Sequence, residues 1–146
     1  MESRINCVVL TTLHENFLTT IESINAQSLL PKKRFLIVDS KFAERFPKYS
    51  DNEVLSLWEI VMLPLRDDFA DYRNRAVELV QKDEWLCFID DDEWLHQEFF
   101  KNLDGFVGSV KGPLDAIRIP RSNSFGLKNE RPEQDWLSPV GFRFPD

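Results

Sequence analysis

Four short apolar runs, spaced through the chain and each closed by polar residues or proline, constrain its fold more than any other feature. Ile5 to Leu10 is apolar and β-branched and reads as a buried strand. Phe35 to Val38, Val54 to Leu63 and Trp85 to Ile89 read as further strands, the third closed by Pro64. Between them the apolar spacing changes to that of a helix. Asn16 can cap a first helix whose face carries Phe17, Leu18, Ile21 and Ile24, with Pro31 as its stop. Phe69, Tyr72, Ala76, Leu79 and Val80 predict a second helix, and Leu95, Phe99, Leu103 and Phe106 a third, interrupted at Gly105. Lys41 to Asp51 is polar and expected to be irregular. Ala116 to Ile119 alternates about Arg118, as a fifth strand exposed on one face would. This alternation predicts an α/β fold with a mostly parallel central sheet flanked by helices.

Bulk properties narrow the function. With 146 residues, 42% of them apolar and 12% aromatic, one domain with one core is expected. The net charge of -7 argues against a nucleic-acid surface, since the only basic run is Lys32-Lys33-Arg34. Cys7 and Cys87 sit inside strand-like runs and read as core thiols. His14 and His96 are too few for a histidine-rich zinc site and read as surface residues. No signal peptide or membrane span is legible, so a cytoplasmic, reducing setting is expected. No feature fixes an oligomeric state.

The ends of the strands carry the chemistry. Asp90, Asp91 and Asp92 follow directly on Trp85 to Ile89. Carboxylates that close repel one another and need a cation or donors beside them. Their hard oxygens suit Mg²⁺ or Mn²⁺, ions that commonly arrive with a phosphate; a polar turn after a strand is the plainer alternative. Thr11 and Thr12 follow the first strand, and Asp39 ends the second. In open parallel sheets the ligand crevice lies beyond the carboxyl ends of the strands, so these groups would converge if their strands are neighbours. No G-x-G-x-x-G, P-loop or G-x-S-x-G is present, so a dinucleotide fingerprint, a phosphate-cradling loop and an acyl-transfer elbow lack support.

Taken together these segments resemble a family 2 glycosyltransferase with the Rossmann-like GT-A nucleotide-sugar-binding fold. Ile5 to Thr12 resembles the first strand and nucleotide loop, and Ile21 to Gln27 the helix ending in Ser-x-x-x-Gln. Phe35 to Ser40 resembles the second strand with its nucleotide-binding Asp39. Tyr72-Arg73-Asn74-Arg75-Ala76 is similar to the family's Ala-Arg-Asn-x-Gly/Ala segment, and Phe88 to Trp94 to the strand with the Asp-x-Asp motif, here Asp-x-Asp-Glu. The Asp-x-Asp-Glu form, with Pro120 to Asn123 and Pro145-Asp146, resembles members acting on lipopolysaccharide-type glycans.

The resemblance implies a metal-dependent, inverting transfer of a hexose from a UDP-sugar to a glycan, lipid-linked glycan or other hydroxyl acceptor. Thr11, Thr12 and Asp39 would meet the uracil and ribose, and Arg73 the base or diphosphate. Asp90 would meet ribose or sugar and share Mn²⁺ or Mg²⁺ with Asp92, with Asp91 in the motif's variable middle position. The general base would be Asp135 or Asp146, with Glu133 a further candidate, and Trp136 either stacks on an acceptor sugar or is structural. Trp85, Trp94, Phe99 and Phe100 read as core rather than as sugar platforms. The expected layout is a single GT-A-like domain over 1–146, with a donor half over about 1–95 and a reduced acceptor half over about 96–146. Thr11 stands where the family has proline, and His14 where it has asparagine. Two other functions remain open: a non-catalytic or hydrolysis-only nucleotide-sugar-binding module, and a Mg²⁺-dependent phosphatase or nucleotidyltransferase.

Overall fold

A computed structural model of the chain describes residues 2–65 and 68–119. Four strands form one sheet: β1 (Ile5–Thr11), β2 (Arg34–Asp39), β3 (Glu59–Leu63) and β4 (Trp85–Asp90). Their order is β3-β2-β1-β4, and every neighbouring pair is parallel. Among the described residues three α-helices accompany them: α1 (Phe17–Asn25), α2 (Phe69–Val77) and α3 (Phe99–Ser109). One compact unit spans Met1–Gly108 and a second begins at Ser109. The expected α/β class with a mostly parallel sheet is the observed one.

The central strands are apolar on both faces because both faces are covered, as parallel strands joined through helices must be. Cys7, Val8 and Val9 of β1 and Leu36, Ile37 and Val38 of β2 have no exposed surface. Alternation and register sort them by face. Val8 lies opposite Phe35, and Leu10 opposite Ile37. Val8, Phe35 and Ile37 form one core with Tyr72 and Ala76 of α2, flanked by Val61, Leu63 and Leu86. Cys7, Val9, Leu36 and Val38 therefore face the other way. Arg34, which shares that face, donates to Asn25 Oδ1 at the end of α1 (3.0 Å). Phe17, Ile21 and Ile24 of α1 are wholly buried, each such side chain contributing about 1.5–3 kcal/mol.

Several sequence expectations are corrected. β3 begins at Glu59, not Val54: Asn52 Oδ1 accepts the Val54 N–H (2.9 Å) and turns residues Glu53–Leu55 into a short 3-10 helix. α1 ends at Asn25, well before Pro31, where Ala26 closes the last turn. Residues Ser40–Lys48 are not irregular but coil as 3-10 turns capped by Asp39. α3 runs through Gly105 without interruption, because an exposed glycine weakens a helix without breaking it. Residues 116–119 form no strand; four residues with a charge among them have too little to pair with. Trp94 is not core: it stands 69% exposed. No helix among the described residues is long and apolar enough to cross a membrane.

Candidate functional site

Because all four strands run the same way, their carboxyl ends meet at one edge. β1 delivers Thr11 and Thr12 there, β2 delivers Asp39, and β4 delivers Asp90 to Asp92. The register fixes their relative heights. Leu10 lies between Ile37 and Asp90 in one row across the sheet. Asp39, two residues beyond Ile37, is on the same face and one pleat higher. With strands about 4.8 Å apart and a rise of about 3.3 Å per residue, the Asp39 and Asp90 backbones are separated by about 12 Å. Thr11 points to the opposite face.

Each group is held by local bonds. Thr11 is fully buried, and its Oγ1 accepts the Leu13 N–H (2.9 Å). That bond fixes a loop in which Leu13 takes a left-handed conformation at φ 62°, unusual for a residue with a branched side chain. Thr12, exposed beside it, offers its carbonyl to Arg45 Nη1 (3.1 Å). The Arg45 guanidinium also lies over the Phe42 ring, 4.5 Å from its centre. Asp39 is nearly buried, and its Oδ1 accepts the Lys41 N–H (3.1 Å), the usual way a short acidic side chain starts a helical turn.

The aspartate run is a closed turn. The Asp90 N–H donates to Glu93 Oε1 (2.8 Å), and the Glu93 N–H returns to the Asp90 carbonyl (3.2 Å). Asp91 Oδ2 pairs with His14 Nε2 at 3.0 Å, joining the loop after β1 to the loop after β4. Asp92 is exposed at the tip. Beneath the turn lies Tyr72 of α2, its ring edge-on to Phe88 with centres 5.8 Å apart. Burial foremost pushes the Tyr72 hydroxyl well above its ordinary value; the negative charges of Asp90 and Asp91 add to this, and Arg73 opposes it. The α2 helix thus brings the Tyr72 hydroxyl within electrostatic reach of Asp90 and Asp91, and places Arg73 beside that hydroxyl.

The edge brings together Thr12, Asp39 and Asp90 to Asp92, and α2 adds Arg73, which is exposed. Asp135, Asp146, Glu133 and Trp136 lie outside the described residues. His14, Arg45 and Tyr72 are members that residue spacing did not indicate. By spacing His14 reads as a surface residue and Tyr72 as one position of a helical face, and Arg45 lies in a segment expected to be irregular. All three enter through contacts made far along the chain, which leave no local signature.

The turn supplies hard carboxylate oxygens, the donor type a divalent cation takes, and Asp92 among them is exposed. Among the described residues no three His, Cys, Asp or Glu side chains are grouped so as to hold a metal by themselves, so phosphate or water oxygens would complete any coordination shell.

No family model matches the chain, and no curated protein matches its sequence. Solved structures match its fold. A crystal structure of S. aureus TarS 1-349 superposes with a TM-score of 0.55 at 16% identity, over 90% of this chain and 43% of that one. A second crystal structure of S. aureus TarS gives 0.52 at 14% identity, over 84% of this chain and 24% of that one. The chain spans less than half the length of either. TarS is a glycosyltransferase, and the fold described above is the Rossmann-like α/β arrangement found in such enzymes.

Proposed function

We propose that the strand-end edge binds a nucleotide sugar, that of a UDP donor, and that the chain transfers the sugar to a hydroxyl of a glycan acceptor with inversion at the anomeric carbon. One observation carries this reading: parallel pairing sets Asp39 and the Asp90–Asp92 turn on one edge, about 12 Å apart. That separation is comparable to the length of a nucleoside diphosphate. Asp39 and the Thr12 loop, shaped by Thr11, take the base and ribose, while the aspartate turn lies at the diphosphate end. Arg45, bonded to the Thr12 carbonyl, and Arg73 of α2 are cations that would oppose the charge of a leaving diphosphate.

Asp92 and Asp90 would hold Mn²⁺ or Mg²⁺. When bound, that ion neutralises charge growing on the departing diphosphate. The protein's own residues do the positioning. The Glu93 bonds to the Asp90 backbone fix the turn, and the His14 pair keeps Asp91 turned toward the loop after β1. A carboxylate, Asp135 or Asp146 by resemblance, accepts the proton of the acceptor hydroxyl.

The test is turnover. UDP-glucose, UDP-galactose and their N-acetyl forms are supplied with Mn²⁺ and a panel of oligosaccharides, and UDP release is followed with product analysis. Acceptor-dependent UDP release that is lost in Asp92→Asn supports transfer. UDP binding without any turnover would assign the site to nucleotide-sugar binding alone. Release of phosphate or pyrophosphate with the sugar-phosphate bond intact would replace the proposal with phosphoryl or nucleotidyl chemistry.

A further inference from the structure

Residues 93–97 are fastened to α1 and to the residues that follow it. Thr20 Oγ1 donates to the Glu93 carbonyl (2.6 Å), and the Leu95 N–H donates to Ser23 Oγ (3.2 Å). Gln27 Nε2 donates to the His96 carbonyl (2.7 Å), and the Ser28 N–H donates to the Gln97 carbonyl (3.0 Å). A backbone bonded on both sides of Trp94 is not free to swing that side chain inward. Trp94 is nevertheless 69% exposed, held outward by the strap that carries it. Beside it opens a groove of about 480 Å³, with Thr19, Glu22, His96 and Gln97 among its lining residues.

The lining selects among ligand classes. Besides Trp94 the apolar residues are only Ala26 and Leu95, too few for the row of anchors an amphipathic helix presents. No Lys or Arg contributes, and Glu22 is acidic, so phosphate groups and nucleic acid are repelled. One flat aromatic face ringed by a hydroxyl, a carboxylate, an imidazole and an amide offers both donors and acceptors. A sugar ring has the matching form: C–H groups on its faces and hydroxyls around its rim.

We propose that the Trp94 groove is a binding site for a neutral saccharide, with one ring stacked on the indole and its hydroxyls bonded to Glu22, Thr19, His96 and Gln97. The lining of this groove includes none of the strand-end aspartates, and the proposal holds whether or not sugar transfer occurs at them.

Cellotetraose, mannotetraose and N-acetylchitotetraose are the probes, titrated by calorimetry and tryptophan fluorescence, with inorganic phosphate as the control. At least one tetrasaccharide binds saturably and shifts the emission, while phosphate does not. Trp94→Ala, which removes an exposed side chain and should fold as the native chain does, weakens that binding by about tenfold or more, and Trp94→Phe recovers part of it. Binding of Mn²⁺ and UDP is measured on the same variant, so loss of saccharide binding is distinguished from failure of the strand-end site. Absence of binding by all three probes, or equal binding by Trp94→Ala, overturns the proposal. Self-association that Trp94→Ala abolishes, without any response to saccharide, overturns it in favour of a second copy of the chain.

Discussion

Replacing Gln27 by Leu tests how the loop after β4 is anchored. Gln27 is 6% exposed, and its amide serves two helix ends at once. Nε2 donates to the Ser23 carbonyl (3.2 Å), one of the acceptors left over at the end of α1, and to the His96 carbonyl (2.7 Å). Oε1 accepts the Phe100 N–H (2.9 Å), a donor left over at the start of α3, beside a ring with no exposed surface. Leucine has nearly the same volume and no polar atoms. It leaves the Phe100 N–H and the Ser23 carbonyl without these partners, whereas the His96 carbonyl keeps the Phe99 N–H (2.9 Å). Two buried backbone groups at roughly 1–3 kcal/mol each, offset by the better transfer of leucine, give a net loss of about 2–4 kcal/mol. That is a large share of the roughly 5–15 kcal/mol that keeps a domain folded. Urea denaturation should show a lower midpoint at an unchanged slope, and hydrogen exchange at the Phe100 amide should quicken. A loss below about 0.5 kcal/mol would refute the claim that this amide is the bolt between α1 and α3.

The remaining predictions concern charge and thiols. The hydrogen bond from Lys32, and after it that from the Gln81 N–H, hold the Glu84 carboxyl below its ordinary value of 4.5. Its stabilising contribution is therefore present above pH 4.5 and lost as pH falls through the lower folded-state value; Lys32→Ala should return Glu84 toward its ordinary value by NMR titration and flatten that acid limb. Burial foremost, then the facing Cys87, raises the Cys7 thiol well above its ordinary range, and burial pushes the Cys87 thiol up to about 12. At pH 8 neither thiol should react with a disulfide reagent in the folded protein, and both should react in urea.

The parts legible in the sequence are those where one short segment carries its own physics. β1, β2 and β4 announce themselves as continuous apolar runs because parallel strands are covered on both faces. The strand-end aspartates stand as a cluster directly after such a run. In the sequence Ser23 and Gln27 are only a spacing; in the structure both side chains bond the strap after β4. What the sequence hid depends on partners distant along the chain. Val54 and Leu55 look continuous with the strand at Glu59, yet the Asn52 cap curls them away. Trp94 has the composition of a core residue, and only the bonds from Thr20, Ser23 and Gln27 to its flanking backbone explain why it faces outward. Arg45 meets the Thr12 carbonyl across 33 positions of sequence, and His14 finds Asp91 across a wider interval still.

The central claim is spatial, and paramagnetic broadening by Mn²⁺ measures it directly. Amide signals are recorded with UDP alone and again with substoichiometric Mn²⁺. The proposed site predicts selective loss of the Leu13, Lys41 and Asp90 to Glu93 signals, while Asn6 and Arg34, at the opposite ends of the same strands, stay sharp. In Asp92→Asn the broadening should disappear although the spectrum remains that of a folded protein. Broadening centred away from that edge, or unchanged in Asp92→Asn, would contradict the assignment of this edge as the nucleotide site.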